Sequence, residues 1–425
     1  MSACALAYPC TVSRTDELAR RAAVTAHMTR TELRGALALA LVVGLRMFGL
    51  FLVLPVLALD LSRMPGGTPL LIGVALGVYG VGHLLLQVPL GLLSDRIGRK
   101  PVITMGLALF AAGSLIAALA HGVWGIVLGR ALQGAGAVTG ASQALAADLT
   151  SEHGRNAVMG ILGAAVGLAF LLALLLGSTL AAHLGGLQGL FGLTCALALL
   201  AIAALWLLVP RTPAPRVHGA GIGAIMVTLR DARLLVLNLS ALVLHAVLTL
   251  FFVAMPLLLA HGLRLPVAGQ WRVYVPALLA AALAMVLVLP RVRAQAASVV
   301  AVQASVLLLA LGLVLLALTR HALAPCVAGA VSYFVAFSML EANLPGLVSR
   351  LARTTQRGAA LGAYSAAQFM GVIAGGASGG ALLGHAGVRG VFALAALLAV
   401  LWLLLLLAAG TRLRQTAPTP SAGSA

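Results

Sequence analysis

Residues Gly91 to Pro101 read GLLSDRIGRKP. In a chain with only 8% charged residues, Asp95, Arg96, Arg99 and Lys100 fall within six consecutive positions. The apolar runs on either side, at 69–93 and 101–120, each have about the 20 residues that carry a helix across a bilayer core. The charged stretch is therefore a turn between two membrane spans. Two roles compete for it: a solvated turn that marks one side of the membrane, and a device that holds helices together and lets them part.

Working outward, 62% hydrophobic residues among 425 and a mean hydropathy of +1.11 exclude an ordinary soluble domain. Backbone groups in lipid need partners within their own segment, and the ten-residue alternation of a barrel is absent, so the spans are helices. Six apolar runs lie at 35–60, 69–93, 101–120, 123–146, 157–182 and 186–209. Six more lie at 234–260, 268–290, 296–318, 322–347, 358–384 and 387–409. Between the sixes stands RTPAPRVHGAGIGAIMVTLRDAR, Arg211 to Arg233. The expected organisation is a leader at 1–34, six-helix bundles at 35–209 and 234–409, a linker at 210–233 and a tail at 410–425.

The chain carries 27 basic and 9 acidic residues, a net charge of +18, and Lys100 is its single lysine. With a cytoplasmic N-terminus, 20 basic residues fall on the cytoplasmic side and five opposite, leaving Arg46 and Arg130 inside spans. Such a bias sets topology. No basic stripe interleaved with aromatics is present, so nucleic acid is not an expected partner. Cys4, Cys10, Cys195 and Cys326 are scattered without a CxxC pair or ligand-spaced histidine, which implies neither a disulfide framework nor a metal site. The phosphate loop GxxxxGK[ST] is missing, and no cofactor is expected. The first 30 residues have no apolar core of signal-peptide length, and MTRTELRGALALA from Met28 resembles a natural protein start.

The two sixes repeat. FLVLPVLA at 51–58 aligns with FVAMPLLL at 252–259, an offset of 201. RNAVMGILGA from Arg155 aligns with RGAALGAYSA from Arg357, an offset of 202. Repeated bundles are a common construction of transporters.

The order Gly91, three residues, Asp95-Arg96, one residue, Gly98-Arg99-Lys100 resembles the signature of the major facilitator superfamily. RMFGLFLVLPVL around Arg46 and WGIVLGRALQGAGA around Arg130 are similar to its drug:proton antiporter branch. The resemblance implies an all-α membrane protein of 12 transmembrane helices in two pseudo-symmetric six-helix bundles. It implies secondary active transport by alternating access: proton-coupled efflux of small amphipathic or drug-like compounds. Proton-linked uptake of a nutrient or metabolite is the alternative, and a non-transporting membrane sensor or enzyme a remote one. The implied setting is a bacterial inner membrane, with both termini cytoplasmic, a small-molecule substrate, protons and the lipid bilayer as partners, and a monomer.

In the turn, Gly91 permits close helix approach, Gly98 permits a conformation other residues resist, and Asp95 can accept charge-assisted hydrogen bonds. The resemblance implies a conformational latch made of Gly91, Asp95, Arg96, Gly98, Arg99, Lys100, Asp148 and Gly358. In it Asp95 touches the start of span 11 near Gly358, while Asp148 pairs with Arg96 or Arg99, favouring the state closed to the cytoplasm. The matching turn of the second half, LPRVRAQAA, keeps Arg291 and Arg293 but has no acid, so the latch is one-sided.

In SMLEANLPGLVSR, Glu341 is the one acid well inside a span, about six residues from its cytoplasmic end. An intramembrane carboxyl is a candidate proton carrier. The competing reading is an anchor paired with Arg350 or Arg353. Arg130, Gln133 and Gly134 fall on neighbouring faces of one helix, and the resemblance makes Arg130 a contributor to proton coupling or cavity electrostatics. Snorkelling to the interface is its alternative, and Arg46 divides the same way. Gln133, His83, His245, Asn343, Tyr333, Phe252 and Gln368 are candidates for a substrate cavity, with interior packing the ordinary alternative for each. Antiporters of this superfamily carry Gly-Pro in span 5, whereas this chain has Gly177-Ser178 and keeps a small face at Gly160, Gly163 and Gly167.

Overall fold

The computed structural model describes residues 29–151, 154–210, 230–292, 295–319, 321–353 and 356–414. The start at Met28, most of the leader and linker, Arg293 and the tail beyond Arg414 lie outside the described residues. Span 1 is α1 (Arg30–Leu52) and α2 (Leu54–Arg63). Thr29 and Glu32 cap its start reciprocally. Its break at Val53 falls just before Pro55, which has no N–H to continue the ladder. α3 (Pro69–Ile97) and α4 (Arg99–Ala118) meet at Gly98, whose φ of 99° is a glycine conformation.

Span 4, expected to be continuous, is interrupted: α5 (Val123–Ala135) ends and α6 (Thr139–Asp148) begins anew. α7 (Arg155–Leu184) and α8 (Leu187–Leu208) complete the first half. The second half opens with α9 (Ala232–Leu257), extended by a π turn at Leu258–Gly262. α10 (Trp271–Val288), α11 (Gln295–Leu318) and α12 (Leu323–Leu351) follow. α13 (Arg357–Arg414) has 58 residues, about 87 Å at ~1.5 Å per residue, far beyond one bilayer crossing. Gly387, at φ 63° and ψ −168°, divides it into spans 11 and 12.

By length and hydropathy, ten helices among the described residues can each cross a membrane. Dividing α13 and joining the short α5 and α6 raises the crossings to the expected twelve. Their packing repeats. In the first half span 1 packs on spans 5 and 6, span 4 on spans 2 and 3, and span 3 on span 6. In the second half α9 packs on both arms of α13, α12 on α10 and α11, and α11 on α13. Each pairing has its counterpart, the mark of two pseudo-symmetric bundles.

The bundles meet mainly through α3 and α13, less through α2 and α9, and less again through α7 and α10. At the end where α3 begins, here called the far end, a methyl on Gly376 would lie 2.8 Å from Gly77, and one on Gly380 2.8 Å from Leu70 and Pro69. Glycine is required there for the two backbones to touch. One apolar core runs from Leu52–Leu61 and Ile72 into the second bundle. At the end bearing Asp95 to Lys100, the charged end, the core formed by Leu39, Leu107, Leu145 and Leu205 belongs to the first bundle alone. From Ala282 to Val288 every α10 residue but Ala284 is exposed, and Gly160, Gly163 and Gly167 of α7 face open space. The bundles are joined at the far end and parted at the charged end.

Candidate functional site

Three polar groups stand on this frame. In the first bundle Arg46 is 1% exposed and Arg130 2%, which excludes snorkelling for both. Arg46 Nη2 donates to the Tyr79 hydroxyl (3.1 Å) and to the Gly136 carbonyl (3.3 Å), and its guanidinium lies 5.3 Å from the Phe110 ring centroid. Gly136 is where α5 ends, so Arg46 takes up a carbonyl released by the break. Arg130 donates to the Gln133 side chain (3.0 Å) and the Ala75 carbonyl (3.4 Å), and stacks over Tyr79 at 5.0 Å. Gln133 in turn donates to Ser114 (2.8 Å), which donates to the Phe110 carbonyl. Tyr79 joins the two cations, a role the sequence did not reveal because tyrosine in an apolar run reads as packing. Among the described residues no carboxylate pairs with either arginine. Arg46 Nε and Ser142 Oγ are buried without a partner, and an unmade buried donor costs about 1–3 kcal/mol.

In the second bundle, three spans meet at His245, which lies against Glu341. His245 Nε2 of α9 lies 3.5 Å from Glu341 Oε1 of α12, and 3.3 Å from Gln368 Nε2 of α13. His245 Nδ1 faces the Ala241 carbonyl at 3.1 Å. That carbonyl requires the proton on Nδ1, which leaves neutral Nε2 as acceptor for Gln368; a second proton turns Nε2 into a donor toward Glu341. The Glu341 side chain is 34% exposed, while its Oε1, the atom nearest His245, is buried. The anchoring alternative is corrected: Arg350 instead donates to Ser298 (2.8 Å), and Glu341 pairs with neither Arg350 nor Arg353.

At the charged end Arg99, 7% exposed, binds Asp95 of its own turn, Asp148 at the end of α6 (3.2 Å) and Ser94 (2.7 Å). Lys100 donates to the Val209 carbonyl and lies 5.6 Å from the Trp206 ring centroid. The cluster thus ties spans 2 and 3 to spans 4 and 6. Arg96 is exposed. The expected contact of Asp95 with the start of span 11 is corrected for this conformation: a methyl on Gly358 or Gly91 would meet nothing within 4 Å. The bundles are parted there, so Asp95 turns to Arg99.

The cavity candidates separate by burial. Gln133, Phe252, Tyr333 and Asn343 are interior: Tyr333 stacks on Phe251 at 4.0 Å, and Asn343 donates back to the Met339 carbonyl. His83 is buried against Phe369 of the opposite bundle at 3.7 Å, one turn from the Gln87–Ser365 hydrogen bond (3.1 Å). These are contacts between the bundles at the middle of α3 rather than of an open cavity. His245 and Gln368 alone among the candidates keep partial exposure. Gly177 backs onto the span 1 break, where a methyl would lie 2.6 Å from the Leu52 carbonyl oxygen and 2.9 Å from Pro55. α7 runs through it without a kink-making proline. Among the described residues no cluster of three or more His, Cys, Asp or Glu is placed to hold a metal.

A family model described as Major Facilitator Superfamily matches residues 39–353. The chain is 40% identical over 386 residues to the inner membrane transport protein YajR of Escherichia coli K12, covering 88% of this chain and 83% of that one. It is 34% identical over 154 residues to a class G tetracycline resistance protein of Vibrio anguillarum, 35% of this chain and 37% of that one. Among solved structures, a bacterial homologue of the human lysosomal transporter Spinster, in an inward-facing and unoccupied conformation, superposes with a TM-score of 0.75 at 14% identity. That match covers 93% of this chain and 100% of the other. The human organic anion transporter MFSD10 superposes with a TM-score of 0.67 at 20% identity, over 89% and 100%. The two structural likenesses establish the fold.

Proposed function

Since this chain belongs to the Major Facilitator Superfamily, we propose that it is a proton-coupled exporter of small amphipathic compounds in a bacterial inner membrane. The single observation that carries the coupling is the placing of His245 between Glu341 and Gln368, with its imidazole 3.5 Å from the carboxyl. A carboxyl that meets an imidazole at the wall of a parted cleft can hand its proton to water there and take another when the cleft faces the opposite side.

The cycle follows from alternating access. Basic residues collect at the charged end, which makes that end cytoplasmic. In the conformation described, substrate enters from the cytoplasm while Glu341 releases its proton toward the same side. Closure of the charged end brings Asp95 and Gly358 together, parts the glycine contacts of α3 and α13, and frees the substrate outward. Glu341 is then reloaded from outside and the bundles return. Arg46 and Arg130 set the electrostatics of the first bundle throughout, and one chain suffices for the cycle.

The test is dissipation of an imposed pH gradient in proteoliposomes by a panel of amphipathic compounds. The parent should show compound-dependent proton flux that Glu341→Gln abolishes while it still binds the compound. Flux of equal size in the variant removes Glu341 from coupling, and gradient-driven accumulation on the cytoplasmic side would reverse the direction to uptake.

A further inference from the structure

We infer that the break in span 4 forms an anion subsite, built from Arg46, Ser142 and the first turn of α6, for the acidic head of an amphipathic organic anion. The inference rests on the transport reading above and names the chemical class of its cargo. A recess of about 200 Å³ in the first bundle is lined by Arg46, Thr139 and Ser142 together with the apolar Val43, Leu162 and Val166. Gln143 and Gly163, also part of its lining, are exposed, so the recess has a mouth.

Separate observations converge on that space. Arg46 and Ser142 both line it, both are at least 97% buried, and Nε of the one and Oγ of the other have no partner. The remaining hydrogen bonds of the guanidinium, to Tyr79, Gly136 and the Met47 sulfur, fix its plane. α6 is a helix of ten residues whose N-terminus at Val138 has no side-chain cap, and Val138, Thr139 and Ser142 line the recess. The unpaired N–H groups and positive dipole end of a helix favour an anion. A full charge, a partial charge and an unpaired hydroxyl thus belong to the residues lining one recess, and no carboxylate is among that lining. An arginine fork matches the planar or tetrahedral oxygens of a carboxylate or sulfonate, and the apolar wall accepts a ring or short chain attached to it. A cationic compound of the same shape would meet repulsion.

The purified full-length chain in detergent, with no pH gradient, is titrated with 1-naphthalenesulfonate, 1-naphthalenemethanol and 1-naphthylmethylammonium, three probes of one ring and different charge. The sulfonate should bind at least tenfold more tightly than the other two. Arg46→Gln should weaken it tenfold or more, and Ser142→Ala about two- to tenfold, the range of one neutral hydrogen bond. Ser142→Ala removes a hydroxyl that bonds nothing, so it decides the question even where Arg46→Gln fails to fold. Equal binding of the cation, no measurable binding of the sulfonate, or unchanged sulfonate affinity in Ser142→Ala overturns the subsite. Loss of coupled flux in the transport assay leaves this binding result intact. Flux driven by cationic compounds, with no anion binding, would keep the transport reading and remove the subsite.

Discussion

Arg99 shows how much one buried charge decides. It is shared by Asp95, Asp148 and Ser94, and removing it leaves two carboxylates facing each other across the space it filled. Hydrogen bonds to charged groups contribute about 1.5–3 kcal/mol each, reduced here by the partial exposure of both acids. Arg99→Ala should therefore lower the melting temperature in detergent by several degrees, corresponding to about 2 kcal/mol. Asp95→Asn keeps an oxygen acceptor toward Arg99 and should melt within a degree or two of the parent, yet slow transport severalfold because the closing contact loses its charge. Undiminished turnover in Asp95→Asn would return the turn to a marker of topology. At this scale the sequence announced the participants unevenly. Glu341 and the two intramembrane arginines are conspicuous because charge is scarce. Tyr79, Ser114 and Ser142 are not, since one hydroxyl in an apolar run is equally at home in packing.

Among the elements, the breaks carry more consequence than the helices. Val53–Pro55 in span 1, Gly136–Val138 in span 4 and Gly387 between spans 11 and 12 interrupt the backbone ladder. Only the first is marked by a proline. The second lies in LQGAGAVTG, a Gly- and Ala-rich stretch that a continuous helix tolerates equally well, so only packing settled it. Helix approach is governed by glycine in the same way. Gly376 has no room for a side chain because Gly77 lies against it. Gly376→Val should force α3 and α13 apart at the far end. Ile72→Cys, buried at 2% in a background without native cysteines, should then react with a membrane-impermeant maleimide at least tenfold faster than it does with Gly376 intact. An unchanged labelling rate would show that the approach is held by other contacts.

At the scale of the whole molecule, the repeated pairings of helices let one structure imply a second. The present arrangement joins the bundles through α3 and α13 at the far end and parts them at the charged end. A rocking motion exchanges the two conditions with little change inside either bundle. A cysteine pair made by Gly91→Cys and Gly358→Cys, neither of which meets a neighbour now, should cross-link under mild oxidation only as the charged end closes. The cross-link should arrest transport, and dithiothreitol should restore it. Absence of any cross-link during active turnover would contradict the rocking motion.

The sequence by itself determined the lipid setting, the number and order of the crossings, the likeness of the halves and the scarcity of charge within spans. Each of these follows from composition summed along a run of residues, because transfer into a bilayer is nearly additive. Only the tertiary structure decided that His245 faces Glu341, that Arg99 rather than Arg96 holds Asp148, that span 4 is broken beside Arg46, and which end stands open. Those outcomes depend on the fit between helices rich in leucine, alanine and glycine. Many registers of such helices have the same hydropathy, and only contact geometry separates them.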